Sequence, residues 1–132
     1  MKVLTIKQPY ASLIAFGIKK YEFRTWKTNY RGDVLIHAGK SMDKSAMEEF
    51  KVYGVDCPLG CIIAKVTITD VIKVDDEFRE VLKKEDSLVY NHVINDKTWE
   101  GYAFKLENVS LIKPIYVNGR LGLWNYDKKK EN

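Results

Sequence analysis

From Gly60 to Val74 the chain alternates apolar and polar residues for longer than an ordinary strand lasts. Ile62, Ala64, Val66 and Ile68 fall on one side, with Lys65, Thr67 and Thr69 on the other, so one face is buried. A strand this long must bend strongly, as small barrels require. Other period-two runs are shorter. Val3, Thr5 and Lys7 alternate with Leu4, Ile6 and Gln8, and Val34, Ile36 and Ala38 alternate with Leu35 and His37. Tyr102, Phe104 and Leu106 begin a predicted strand pair that runs through Val109 to Ile112, with Pro114 interrupting it, and Gly119 to Trp124 reads as a turn into a closing strand. Strands with helices inserted between them, but no regular βαβ alternation, predict an α+β fold: a small mixed β-barrel with flanking helices, not a doubly wound sheet. The chain of 132 residues fits one domain, expected over 1–126, with 127–132 as a charged, solvated and disordered tail.

The helices are marked by backbone signals. Pro9 suits the first position of a helix, and Tyr10, Leu13, Ile14 and Phe16 supply an apolar stripe before Gly17 stops it. The period then returns to two. Tyr21, Phe23 and Thr25 share one face, while Lys20, Glu22, Arg24 and Trp26 share the other. That second face gathers an acid, a base and an aromatic, with Lys19 at its mouth, which is not the composition of a plain solvated face. Ser41 or Asp43 can cap a helix buried through Ala46, Met47, Phe50 and Tyr53 and ended by Gly54. Asp75 to Glu77 opens another, through Phe78, Val81 and Leu82 to Lys83 and Lys84. Residues 85–98 fit helix or loop equally.

Charge narrows the search for function. Residues 1–40 carry eight Lys or Arg against two acids, and the rest of the chain carries fourteen against sixteen. An anion site is therefore expected in the basic first third. No apolar run approaches the length that crosses a bilayer, and the opening residues are too briefly apolar for a signal peptide, so the expectation is a cytoplasmic protein without a membrane partner. Cys57 and Cys61 read as reduced thiols or small core residues. With His37 and His92 each alone in its neighbourhood, the paired-ligand pattern of a zinc site is missing, and neither metal nor cofactor is expected.

Three segments, LTIKQPYASLI, GIKKYEFRTW and YRGDVLIHA, together resemble the activating signal cointegrator homology (ASCH) domain. Its G-x-K-x-x-E-x-R signature is filled by Gly17, Lys19, Glu22 and Arg24. Gln8-Pro9 and the Ala11-Ser12-Leu13 run also match, although many relatives have Trp where Tyr10 stands. The Gly60-Cys61-Ile62 start of the long strand and the closing Gly119 to Trp124 agree too, so the likeness spans nearly the whole chain. It is most similar to the version found at the end of a transcriptional coactivator. The resemblance implies a PUA-like barrel with a cleft between the barrel and the first helix, lined by the motif residues. It also implies nucleic-acid binding, with some small relatives being enzymes on modified nucleosides or RNA.

On that basis RNA, another single-stranded nucleic acid, or a nucleoside or nucleotide is the expected partner. Lys19 and Arg24 can neutralise phosphate, the latter in bidentate fashion. Tyr10 and Trp26 can stack on bases, and Glu22 can accept from an exocyclic amine. Arg31, Lys40 and Arg120 are further candidate phosphate contacts. Plainer roles stand beside each: Glu22 and Arg24 as an ion pair fixing the strand, Trp26, Trp99 and Trp124 as core, His37 as a satisfied core or rim histidine, the cations as solubilising surface. If the protein is an enzyme, Lys19 and Glu22 are the candidate catalytic base and acid, for a metal-independent amidohydrolase on an acylated nucleoside or for a ribonuclease. The family's acetylcytidine amidohydrolases use a lysine matching Lys19 with a threonine nucleophile, but Glu22 fills that threonine's position, and a carboxylate cannot take over its role in acyl transfer unchanged. Binding therefore ranks above hydrolysis, and docking of an acidic peptide in the same cleft is a third possibility.

Overall fold

The computed structural model describes residues 1–128, so the last four residues of the expected tail lie outside the described residues. Six strands form one mixed sheet: β1 (Lys2–Gln8), β2 (Tyr21–Arg24), β3 (Gly32–Met42), β4 (Cys61–Lys73), β5 (Tyr102–Tyr116) and β6 (Leu123–Asn125). Their order is β2-β5-β4-β3-β1-β6, and among these pairs only β1 and β3 run parallel. The α+β class holds. The backbone ladder does not close, because β2 and β6 remain edges. The sheet nevertheless curls until β2 approaches β1, and there a side chain makes the join: Arg24 on β2 donates from Nη2 to the carbonyl of Thr5 on β1 at 2.7 Å. Thr5 lies one residue past the last pairing of β1 with β6, Leu4 with Leu123.

Bending of β4 has a visible cause. Its pairing with β5 slips register three times, between Ile62 and Ala64, Lys65 and Thr67, and Ile68 and Asp70. Such irregularities add local twist and let a long strand turn. One of them also corrects the sequence reading of β5, which is a single strand through Tyr116 and not a pair broken at Pro114. Leu111 pairs with Ala64 and Ile115 with Ile62, so Pro114 sits where the ladder skips and its missing donor breaks no rung.

The two largest bodies of core flank the sheet. One joins Leu4, Ile6, Ile14, Ile36, Ala64, Val66 and Phe104, sealing helix α1 (Tyr10–Ala15) against the inner face. Pro9 occupies the cap position, one residue before the place expected from sequence, after a cis peptide bond. Phe16, expected in the stripe, is largely exposed. Helix α2 (Lys44–Glu49) is capped by Asp43, which accepts from the Ala46 amide, and a single 3-10 turn follows to Tyr53. Gly54 ends it in the left-handed region at φ 63°, as expected of glycine there.

The second core packs helices α3 (Asp76–Asp86) and α4 (Asn91–Asn95) on the outer face of β2. Tyr21 meets Phe78 and Tyr90 edge-on, and Phe23 meets Tyr90 and Trp99 the same way. Val81, expected to be buried, is exposed; Phe78 and Leu82 carry that face. The ambiguous stretch before Trp99 folds because buried Arg79 donates to the carbonyls of Val93, Asp96 and Trp99. Strand β2 therefore has one face fixed by helices and the other turned toward the inside of the curl.

Candidate functional site

The spacing of the Gly-Lys-Glu-Arg motif follows from how α1 ends. Gly17 takes φ 76° and donates to the Ile14 carbonyl, after which the amides of Ile18 and Lys19 both donate to Leu13. That tight exit throws Lys19 inward just before β2 begins. Alternation along β2 then puts Glu22 and Arg24 on one face. Gln8 braces the helix from the other side: its Oε1 accepts from the Ser12 amide, and its Nε2 donates to Ser12 Oγ and to the Pro58 carbonyl.

Lys19, Glu22 and Arg24 form one ionic triad. Lys19 Nζ lies 2.8 Å from Glu22 Oε1, and Arg24 Nη2 lies 3.1 Å from Glu22 Oε2. Lys19 also donates to the Tyr21 carbonyl and sits over the rings of Phe23 and Tyr10, 4.9 and 5.7 Å from their centroids. Only 4% of its surface is exposed. Burial lowers the Lys19 ammonium below the usual lysine range, with Glu22 opposing that shift. Burial also pushes the Glu22 carboxyl upward, but the two cations more than offset it and hold the group below its ordinary value. Glu22 is thus an ionised, fixed acceptor.

Beside the triad opens a cleft of about 860 Å³. Its walls include Glu22, Arg24, Trp26 and Tyr10 from the motif region, Thr5 and Lys7 from β1, His37 and Lys40 from β3, Trp99, and the loop from Asn118 to Leu121. Tyr10 keeps its phenol proton firmly, its pKa pushed up to about 12 by burial and by nearby Asp43, Glu49 and Glu22. Trp26 is half-buried and stands edge-on to Phe104, 5.2 Å between ring centroids. Lys40 reaches Asn118 Oδ1 at 3.4 Å across the cleft mouth.

Not every candidate joins the cleft. Lys19 lies behind Glu22 and lines instead a smaller hollow of about 200 Å³ with Tyr10, Phe23 and Tyr90. Its ammonium is engaged by protein groups, so its work is to fix Glu22. Arg31 is away from the cleft; it donates to the carbonyls of Thr28 and Tyr30 and lies 3.9 Å from Asp70. Tyr10, Glu22, Arg24, Trp26, Lys40 and Arg120 do converge. Sequence reasoning misses Lys7 and Trp99 as cleft residues. Lys7 has a signal in the alternation of β1, whereas Trp99 is brought in by a loop that sequence leaves undecided.

At the far end His37 is buried, its Nε2 2.7 Å from the Val117 carbonyl and its Nδ1 without a partner. Trp124 donates from Nε1 to Thr5 Oγ1 at 3.0 Å. Gly119 crosses directly above. A Cβ there would stand 2.8 Å from both Thr5 Oγ1 and His37 Cε1, so only glycine lets the loop lie so low. Among the described residues no three His, Cys, Asp or Glu side chains are grouped to hold a metal ion.

The model of the ASCH domain matches residues 4–116. The chain belongs to the ASCH domain family. Activating signal cointegrator 1 of Mus musculus and that of Homo sapiens are 29% and 28% identical to it, each over 96% of this chain. The chain spans only about a fifth of their length, since 22% of each is covered. Crystal structures of ASCH from Zymomonas mobilis share the fold: the unsubstituted protein aligns with TM-score 0.64 at 16% identity, over 98% of this chain and 90% of its own. A point mutant of the same protein aligns with TM-score 0.63 at 15% identity, over 98% of this chain and 92% of that one. Membership places the chain among PUA-like folds. No helix among the described residues is long and apolar enough to cross a membrane.

Proposed function

We propose that the cleft binds RNA or another single-stranded nucleic acid. One observation carries this: cations and aromatic rings share the walls of a single open cleft. Lys7, Arg24, Lys40 and Arg120 line it together with Tyr10, Trp26 and Trp99, while Glu22, the one carboxylate among the described residues lining it, is already paired with two cations. The cations suit a phosphate backbone and the rings suit bases, whose stacking is worth about 1–3 kcal/mol each and tolerates any sequence. A cleft of about 860 Å³ exceeds what a single nucleoside fills, which favours a strand. Cys57 and Cys61, four positions apart and both free, suit the reducing cytoplasm.

Less supports a hydrolase. Lys19 is buried behind the wall and bonded to protein, and Glu22, held ionised, is a poor proton donor. The test is a salt titration with a fluorescent single-stranded RNA. With about three cations on phosphate, log affinity should fall against log salt with a slope near about −2. Absence of binding at low salt defeats the proposal.

A further inference from the structure

Resting on the nucleic-acid reading above, we propose that this cleft selects guanine, with Glu22 and Arg24 as the pair that reads the base edge. An ionised carboxylate offers about four lone-pair positions on its two oxygens. In the triad Lys19 takes one position on Oε1, and Arg24 takes one on Oε2. Each oxygen keeps another, and Glu22, 8% exposed, lines both the cleft and the smaller hollow behind it. Two acceptors side by side call for two donors side by side. Among the common bases, the Watson–Crick edge of guanine alone presents that pair, N1–H and the N2 amine.

The third group on that edge, O6, is an acceptor, and Arg24 is the donor beside Glu22. Both of its hydrogen bonds leave from Nη2, to Thr5 and to Glu22, and Arg24 itself lines the cleft. A guanidinium with donors to spare next to a carboxylate with unfilled lone pairs is the complement of guanine's acceptor next to its donors. The other bases meet the carboxylate badly. Uracil sets one donor between two carbonyl oxygens, and adenine and cytosine set a ring-nitrogen lone pair beside the amine, so each brings an acceptor against Glu22. Lys19 and Arg24 hold the carboxylate in place before the base arrives, so little ordering remains for binding to supply. Tyr10 and Trp26, also in the wall, provide faces for the ring.

The test varies the ligand before the protein. Short uridine-rich RNAs carrying one central guanosine, inosine, adenosine, cytidine or uridine are titrated at fixed salt and followed by fluorescence anisotropy. Guanosine should bind tightest. Inosine, which lacks only the N2 amine, should bind about tenfold more weakly, the cost of one lost donor. GMP should displace the guanosine RNA and UMP should not. Equal affinity for guanosine, inosine and uridine would overturn guanine selection while leaving strand binding intact, whereas no binding to any RNA at low salt would remove the nucleic-acid reading itself. Glu22→Gln should erase the difference between guanosine and inosine, and a preference that survives it would overturn the assignment of Glu22. Because the inosine comparison uses the unaltered chain, it decides the matter even if Glu22→Gln folds poorly.

Discussion

Two sets of cations, one packed around Glu22 and one on the rim of the cleft, do different work. Lys19 and Arg24 are drawn into the wall around Glu22, bonded to carboxylate and backbone carbonyls. Lys7, Lys40 and Arg120 stand exposed on the rim. In the sequence both sets have the same sign and much the same neighbourhood. What separates them is burial: a buried charge must be matched or it is costly, so the inner set defines shape, while the outer set is free to answer an incoming phosphate.

The contrast predicts unequal responses to the same kind of truncation. Lys19→Ala should be the most damaging, because it leaves Glu22 short of a buried partner; about 3–5 kcal/mol of stability should be lost, measured by urea unfolding. An effect as slight as that of Lys40→Ala would erase the distinction between wall and rim.

Acid should act on the wall next. Glu22 is held below its ordinary value near 4.5, so its contribution is complete above that pH and is lost as pH falls through the lower, folded value. Melting temperatures should therefore drop on acidification below about pH 4.5, and Glu22→Gln should flatten that part of the profile. A wild-type curve no steeper than the variant's would show that the triad is not ionised in the fold.

Gly119→Ala probes how the two sets are held in register. The added methyl meets Thr5 and His37 at 2.8 Å and must lift the loop that carries Arg120, costing about 1–3 kcal/mol and weakening RNA binding. Unchanged stability would mean that the loop rides freely over β1. Smallest of all, Lys7→Ala, Lys40→Ala and Arg120→Ala should leave the unfolding midpoint where it is. Each should instead flatten the salt dependence of single-strand binding by about 0.7. A rim variant that melts early while keeping its salt slope would reverse the roles of rim and wall.

Much of the fold is legible in the chain. Alternation locates the strands, and Gly17 and Gly54 mark helix ends because a positive φ is cheap only for glycine. The motif spacing delivers Glu22 and Arg24 to one face of β2. What sequence cannot supply is depth. Lys19 looks like any surface lysine until the α1 exit turns it inward, and Arg31 looks like a cleft cation until its loop carries it away. The proline in β5 misleads for a related reason: a register slip, invisible in one strand alone, gives Pro114 its place. Trp99 enters the cleft through a segment ordered by Arg79, a residue 20 positions earlier whose three hydrogen bonds all go to backbone carbonyls.

Arg24 leaves one last consequence. The sheet's open seam between β2 and β1 is bridged by the same guanidinium that faces the cleft. Any ligand competing for that group pulls on a fastening of the fold itself. Occupancy and local breathing are thereby mechanically linked, and amide hydrogen exchange across β2 should change when RNA binds.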